Sequence, residues 1–275
     1  MTTQFAPVLP INFYPLLDRG HYHLVQPHLF EHASDDTIDW FRQRGRFQGG
    51  HVTILDNGVI ELGMADVEAL PRVASLIEPN VIVIPDAYED AEETLKLLEK
   101  FLAAPEVYMD HCQAVMIVPH GRNVAEWCLT AYNMIVRMVE SSIPYVIGIP
   151  KVLDKDPGLR MGGRSAALSW IEHLNLNLVP SVHLLGVWDD LGVALETARA
   201  FPKIAGLDTT LPFANALDGW YTYSKESKST IPDEWWIMSP DEVEHEEVIW
   251  RADVNISTMR HLLQRSSTQG ARTAH

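Results

Sequence analysis

Six polar side chains recur in one setting along the chain. Asp56, Asp86, His120, Lys151, His183 and Asp208 each end or interrupt a short aliphatic run: "HVTILDNG", "NVIVIPDAY", "AVMIVPHG", "YVIGIPKV", "SVHLLGVW" and "KIAGLDTT". Three of the six are aspartates. Aspartate is a common helix cap and turn former, and Asp56-Asn57-Gly58 is itself turn chemistry. Three carboxylates converging on one place would repel one another, so convergence would need a functional reason. Glycosidic-bond chemistry supplies one without invoking a metal. One carboxylate attacks the anomeric carbon and forms a covalent glycosyl intermediate while a second moves protons. A third accepts hydrogen bonds from the donor edge of a purine-like base.

The runs that carry these residues span 51–58, 80–88, 114–121, 145–152, 181–188 and 203–210, with "HYHLVQPHLF" (21–30) a candidate seventh. They are nearly continuous in Val, Ile and Leu, as strands buried on both faces of a parallel sheet are. Helical segments lie between them. In "DAEETLKLLEKFLAAP", Leu95, Leu97, Leu98, Phe101 and Leu102 share roughly one face, with acids early and Lys100 late, matching the helix dipole. "NVAEWCLTAYNMIVRMVESS" is a second helix, and "DDLGVALETARAFP" a third that stops at Pro202. The strand repeat of roughly 25–35 residues is βα spacing. The predicted fold is α/β, a (β/α)8 TIM-like barrel forming a single domain over 1–275, with 266–275 a frayed polar tail. A doubly wound open sheet is the alternative, but no Gly-rich phosphate loop follows any run. In a barrel, groups at the C-terminal strand ends meet at one mouth.

Composition bounds the partners. A chain that is 47% hydrophobic and 21% charged is ordinary globular material, and a net charge of −16 opposes non-specific binding to nucleic acid. A local basic groove is still available: Lys151, Lys155, Arg160 and Arg164 lie in "PKVLDKDPGLRMGGRS", and Arg42, Arg44 and Arg46 in "FRQRGRF". Trp220, Tyr221, Tyr223, Trp235 and Trp236 offer either base stacking or core packing. Two cysteines, Cys112 and Cys128, are too few for a disulfide framework or a four-cysteine zinc site, so a reduced, cytoplasmic setting is expected. The N-terminus has no secretory pattern, and no run of ~18 apolar residues reads as a membrane span. The sequence leaves oligomeric state open, a homodimer included.

Five segments resemble, in order, the motifs of tRNA-guanine transglycosylases. "ILDNGVIE" resembles that family's Asp-Ser-Gly-Gly-Phe-Gln strand end, "VIPDAYED" its substrate-recognition aspartate segment and "IVPHG" its Val-Gln-Gly segment. "VHLLGVWDD" is similar to Tyr-Leu-Met-Gly-Val-Gly, and "GLDTTLPFANALDG" to the segment of the nucleophilic aspartate. The resemblance implies Asp208 as nucleophile on C1′ of a guanosine and Asp56 as general acid/base. It implies a base pocket formed by Asp86, Asn57, His120, Gly148, His183 and Leu185. Lys151, Lys155, Arg160 and Arg164 would hold the polynucleotide. His120 stands where the family has a base-contacting Gln, and Ile149-Pro150 follows Gly148 in place of Gly-Leu. No cysteine follows Asp208, so the zinc motif of the tRNA enzymes is missing. The compact form is more similar to the DNA-guanine transglycosylases, the DpdA family with its phage members, which replace guanine in DNA with a 7-deazaguanine such as preQ0. That resemblance implies DNA and a free 7-deazaguanine base as partners, no cofactor and no metal; for a phage-encoded protein the setting would be the host cytoplasm.

Three other readings compete. The first is a tRNA-guanine transglycosylase. The second is a metal-dependent amidohydrolase, since His21 and His23, His120, His183 and Asp208 imitate its ligand list. There, however, His21 and His23 precede their apolar run and would point from the wrong end. The third is a non-catalytic partner subunit, suggested by His120 and Glu61 at Gln-like positions and opposed by retention of Asp56 and Asp208.

Overall fold

The structure, a computed structural model, describes residues 3–45, 52–155, 162–174, 178–187, 196–198, 200–221, 231–238 and 246–270, with backbone only at 61, 237 and 265–270. Its eight strands are β1 (Gln4–Pro7), β2 (His23–Val25), β3 (Thr53–Leu55), β4 (Val81–Val83), β5 (Ala114–Ile117), β6 (Tyr145–Pro150), β7 (Val182–Leu185) and β8 (Ile204–Thr209). All pairings are parallel, in sequence order from β2 to β8, and β1 pairs with β8. His21 bridges the seam between β1 and β2. Its backbone N–H donates to the Phe5 carbonyl (2.9 Å), and its Nδ1 accepts from the Phe5 N–H (3.3 Å). The chain is a nearly closed, single-domain (β/α)8 barrel.

All seven predicted runs are strands. The eighth, "QFAP", has four residues and ends in proline, too short to show a hydrophobic period. Among the described residues the helices are α1 (Asp35–Gln43), α2 (Val59–Leu62), α3 (Ala69–Ile77), α4 (Ala91–Ala103), α5 (Glu106–Met109), α6 (Val124–Ser141), α7 (Gly163–His173), α8 (Leu211–Leu217), α9 (Asp233–Ile237) and α10 (Glu246–Gly270). Side-chain caps set several starts: Ser34 accepts from Thr37 N–H, Asp90 from Glu93 N–H and Asn123 from Glu126 N–H. The predicted helices at 90–105 and 123–142 are α4 and α6; most of the one predicted at 189–202 lies outside the described residues. α10 continues to Gly270, so the segment expected to fray from 266 is helical to that point. No described helix is long and apolar enough to cross a membrane.

The strands are buried on both faces because they separate two apolar layers. Inside the barrel lie Ala6, Val8, Tyr22, Leu24, Ile54, Val83, Met116 and Val118. Between barrel and helices lies a larger layer that includes Phe5, Leu55, Ile82, Trp127, Ile147 and Leu207. The alternation along each strand then fixes which polar residues enter the barrel. Asp56 follows Ile54 in phase, and Asp208 follows Gly206.

Candidate active site

The C-terminal strand ends enclose a cavity of about 410 Å³. Every strand contributes: Val8, Leu24 and Gln26, Asp56 and Asn57, Asp86, Val118 and His120, Pro150 and Lys151, Leu185 and Gly186, Asp208 and Thr210. Tyr88, Val59, Ile60 and Gly63 complete the wall on one side and Lys155 on another. The three strand-end aspartates therefore do share one site, with an apolar floor.

Asp56 answers to both readings of its turn. Its Oδ1 accepts from the Asn57 N–H (2.9 Å), while the residue lines the cavity. Gly58 takes φ +72°, a left-handed conformation that suits glycine and lets the chain pass from β3 into α2. Asn57 is fully buried and committed: its amide donates to the Ile84 carbonyl (2.9 Å) and Asp86 Oδ2 (3.1 Å), and its Oδ1 accepts from Val59 N–H (3.0 Å). It holds Asp86 in place.

Asp86 and His120 are 2% and 1% exposed. The backbone N–H of Glu89, itself at φ +56°, donates to His120 Nδ1 (3.3 Å), leaving the ring proton on Nε2. Nε2 lies 3.4 Å from Asp86 Oδ1, yet neither atom makes a directed hydrogen bond among the described residues. Gln26 Oε1, which also lines the cavity, is likewise buried without one among the described residues. A buried polar atom in that state costs about 1–3 kcal/mol, which a ligand would recover. Gln26 escaped the sequence reading. It follows Tyr22 and Leu24 in phase along the β2 segment, which points it inward once those two are known to face the interior.

On the opposite wall, Asp208 Oδ1 lies 3.0 Å from His183 Nε2, and its Oδ2 accepts from the Gly186 N–H (3.1 Å). His183 Nδ1 in turn lies 3.1 Å from the Tyr22 hydroxyl. His183 sits below the cavity wall and acts on it through Asp208. Gly148 is also beneath the wall, in the barrel interior. A Cβ there would come within 2.9 Å of Leu185 and Val118, so its glycine makes room for two wall residues.

Of the expected polynucleotide contacts, Lys151 and Lys155 line the cavity. The Arg164 guanidinium is 14% exposed and bound to Asp154 (2.6 Å) and the Leu185 carbonyl (3.4 Å), clamping the start of α7 to the loop after β6. Arg160, Arg46 and Tyr223 lie outside the described residues. Arg42 pairs with Asp39 (2.9 Å), and Arg44 with Asp18 (3.1 Å) and the Trp40 ring, at the end of the barrel away from the cavity. Trp235 packs against Phe13 and Phe213, and Trp236 against the barrel interior, so both serve packing. Tyr221 is half-buried and Trp220 exposed.

His21 and His23 stand at the N-terminal end of β2, where His23 is buried beside Asp18, Trp40 and Phe41. They do not converge with His120, His183 and Asp208, so the amidohydrolase ligand list is not assembled. Among the described residues, no group of three or more His, Cys, Asp or Glu is placed to hold a metal ion.

No family model matches the chain, and no curated protein matches it. Among solved structures, a pyruvate carboxylase variant from Rhizobium etli with the allosteric activator acetyl coenzyme-A is similar at 9% identity and a TM-score of 0.48, over 96% of this chain and 25% of that one. The chain thus spans a quarter of that protein's length.

Proposed function

We propose that the cavity binds a guanine-type base and that the chain is a DNA-guanine transglycosylase, exchanging guanine in DNA for a 7-deazaguanine such as preQ0. One observation carries this reading. Asp86 Oδ1 and His120 Nε2–H form a buried acceptor and donor without directed partners among the described residues, just beyond β4 and β5. Asp208 stands on β8, four strands from β4 and three from β5 in a ring of eight. Guanine presents N1–H and its exocyclic amine beside O6 on one edge, and N9 on the opposite one. A guanine reading Asp86 and His120 therefore turns its glycosidic bond toward Asp208. Adenine presents the two groups in the reverse order, N1 accepting and its 6-amino group donating, so it meets this pair only in a different pose. Tyr88 at the mouth supplies an aromatic face.

The chemistry is double displacement. Asp208 bonds to C1′ as the C1′–N9 bond breaks, its electron pair leaving on the base, which takes a proton from Asp56 and departs as neutral guanine. A 7-deazaguanine enters the emptied pocket and loses its N9 proton to Asp56. Its N9 then recaptures C1′ with net retention, returning the pair to Asp208. Carbon at position 7 removes the protonation site that helps guanine leave, so the exchange runs forward. The target nucleotide must first be flipped from the stack, at a cost of a few kcal/mol.

The test is incorporation of labelled guanine and labelled preQ0 into double-stranded DNA, single-stranded DNA and tRNA. Label entering DNA, and lost in Asp208→Ala, is the expected result. Label entering tRNA instead would keep the chemistry and replace the polymer. No incorporation into any of the three would overturn the reading.

A further inference from the structure

We infer that Tyr22 fixes His183 with a proton on Nδ1, and that one more proton is shared between His183 Nε2 and Asp208 Oδ1, so that the nucleophile is held as a neutral pair. The catalytic role given to this relay rests on the proposed role of Asp208; the proton placement does not.

The placement follows from counting donors. The Tyr22 hydroxyl lies 2.8 Å from the Leu207 carbonyl, which can only accept, so its single proton is used there. Burial holds the phenol protonated well above its usual range. Toward His183 Nδ1, at 3.1 Å, the phenolic oxygen must then accept, and the ring donates Nδ1–H. Nε2 and Asp208 Oδ1 face each other at 3.0 Å, both residues being less than a tenth exposed. Two lone pairs would not hold that distance in a buried site, so a proton lies between them. The fold reserves space for the relay. A Cβ at Gly206 would lie 2.5 Å from the Tyr22 hydroxyl and 2.9 Å from His183 Nδ1. His183 is flanked in the sheet by Gly148 on β6 and Gly206 on β8.

A shared proton makes Asp208 a weaker nucleophile and a better leaving group. When one carboxylate oxygen bonds to C1′, the other becomes the ester carbonyl. In the second displacement the C1′–O bond breaks and its electron pair returns to a carboxylate that the pair's proton stabilises. Tyr22 and His183 are thus positioning residues whose loss slows breakdown of the covalent intermediate more than its formation.

The experiment is nitrogen-15 NMR of histidine-labelled full-length protein at pH 7, with His183→Gln to assign the His183 signals. A ring protonated at Nδ1, with Nε2 protonated or sharing a proton, is expected. Tyr22→Phe should move the ring to the tautomer protonated at Nε2 alone. A wild-type ring already in that tautomer, or signals unchanged in Tyr22→Phe, would overturn the inference. A second measurement traps the DNA–protein adduct. Tyr22→Phe and His183→Leu should accumulate it, with turnover down about tenfold or more. His183→Gln, which keeps an N–H donor to Asp208, should recover part of the rate. Adduct breakdown equal to wild type in both Tyr22→Phe and His183→Leu would overturn the positioning role. The NMR reading needs no activity, so expected spectra without base exchange into any polymer would sink the transglycosylase proposal and leave the proton placement standing.

Discussion

The side-chain amide of Asn57 reaches from the end of β3 to the Asp86 carboxylate at the end of β4, 3.1 Å from Oδ2. The same amide serves the Ile84 carbonyl, and the Asn57 oxygen serves Val59 N–H, so one fully buried side chain ties two strand ends together. Asn57→Leu should lower stability by about 2–4 kcal/mol, because it strands a buried N–H and a buried carbonyl. Urea denaturation checks this. Asn57→Asp keeps the shape but removes the same amide donors and sets a second buried carboxylate against Asp86, so it should lower stability at least as much.

Base recognition should divide between Asp86 and His120. Asp86→Asn replaces an acceptor with an amide, and His120→Leu removes the Nε2–H donor. Each should weaken binding of free guanine or 7-deazaguanine by about 1.5–3 kcal/mol, roughly 10- to 100-fold. Calorimetric titration measures it. Losses below about twofold in both variants would contradict the assignment.

Gln26 shows what the sequence carried and what it did not. The barrel was legible because six strands are aliphatic on both faces, and Asp56, Asp86 and Asp208 were legible because each breaks such a run. The direction of each side chain was not. The run 21–30 has polar or aromatic residues in both phases, so alternation alone did not set Tyr22 inside the barrel and His23 outside until the interior neighbours were known. Residue type does not record partners, so nothing in the sequence showed that Asn57 is bonded to Asp86 or Arg164 to Asp154. Pairing His183 with Tyr22 needed β2 and β7 brought together across the barrel, which no local pattern encodes.

Polynucleotide binding should depend on Lys151 and Lys155 at the cavity wall. With a net charge of −16, the protein has little bulk attraction for DNA, so local cations matter more. Replacing both by alanine should weaken DNA binding and lower the slope of log affinity against log salt by about one to two. Fluorescence anisotropy across a salt series tests this. Affinity for the free base should stay near wild type.

Barrel closure should be sensitive to acid. Burial first, and then the Arg260 charge, lower the His21 pKa from 6.5 to about 4. The folded state thus resists a proton that the unfolded chain accepts. Stability is complete above about pH 6.5 and falls as pH drops toward 4. Protonation would also remove the Nδ1 lone pair that accepts from Phe5 N–H across the β1–β2 seam. Allowing for partial exposure, the loss is about 1–2 kcal/mol. At Asp18, burial pushes the carboxyl up, but hydrogen bonds from His23 and Arg44 outweigh it and hold the carboxyl below 3.8, so its contribution is lost only in stronger acid. His21→Asn, which keeps an acceptor, should flatten the profile between pH 6.5 and 4 in urea midpoints.

Gly206 should prove as important as the residues it accommodates. It lines no part of the cavity, yet an added methyl would press on the Tyr22 hydroxyl and His183 Nδ1 from within the barrel. Gly206→Ala should therefore cost about 1–3 kcal/mol and force the relay away from Asp208. Gly219 is the contrasting case: its φ of +82° strains alanine, but its Cβ would meet open space. Gly219→Ala should lose about 1 kcal/mol of stability while sparing base exchange. If Gly206→Ala turned over at the wild-type rate, the interior contacts of Tyr22 and His183 would be packing alone.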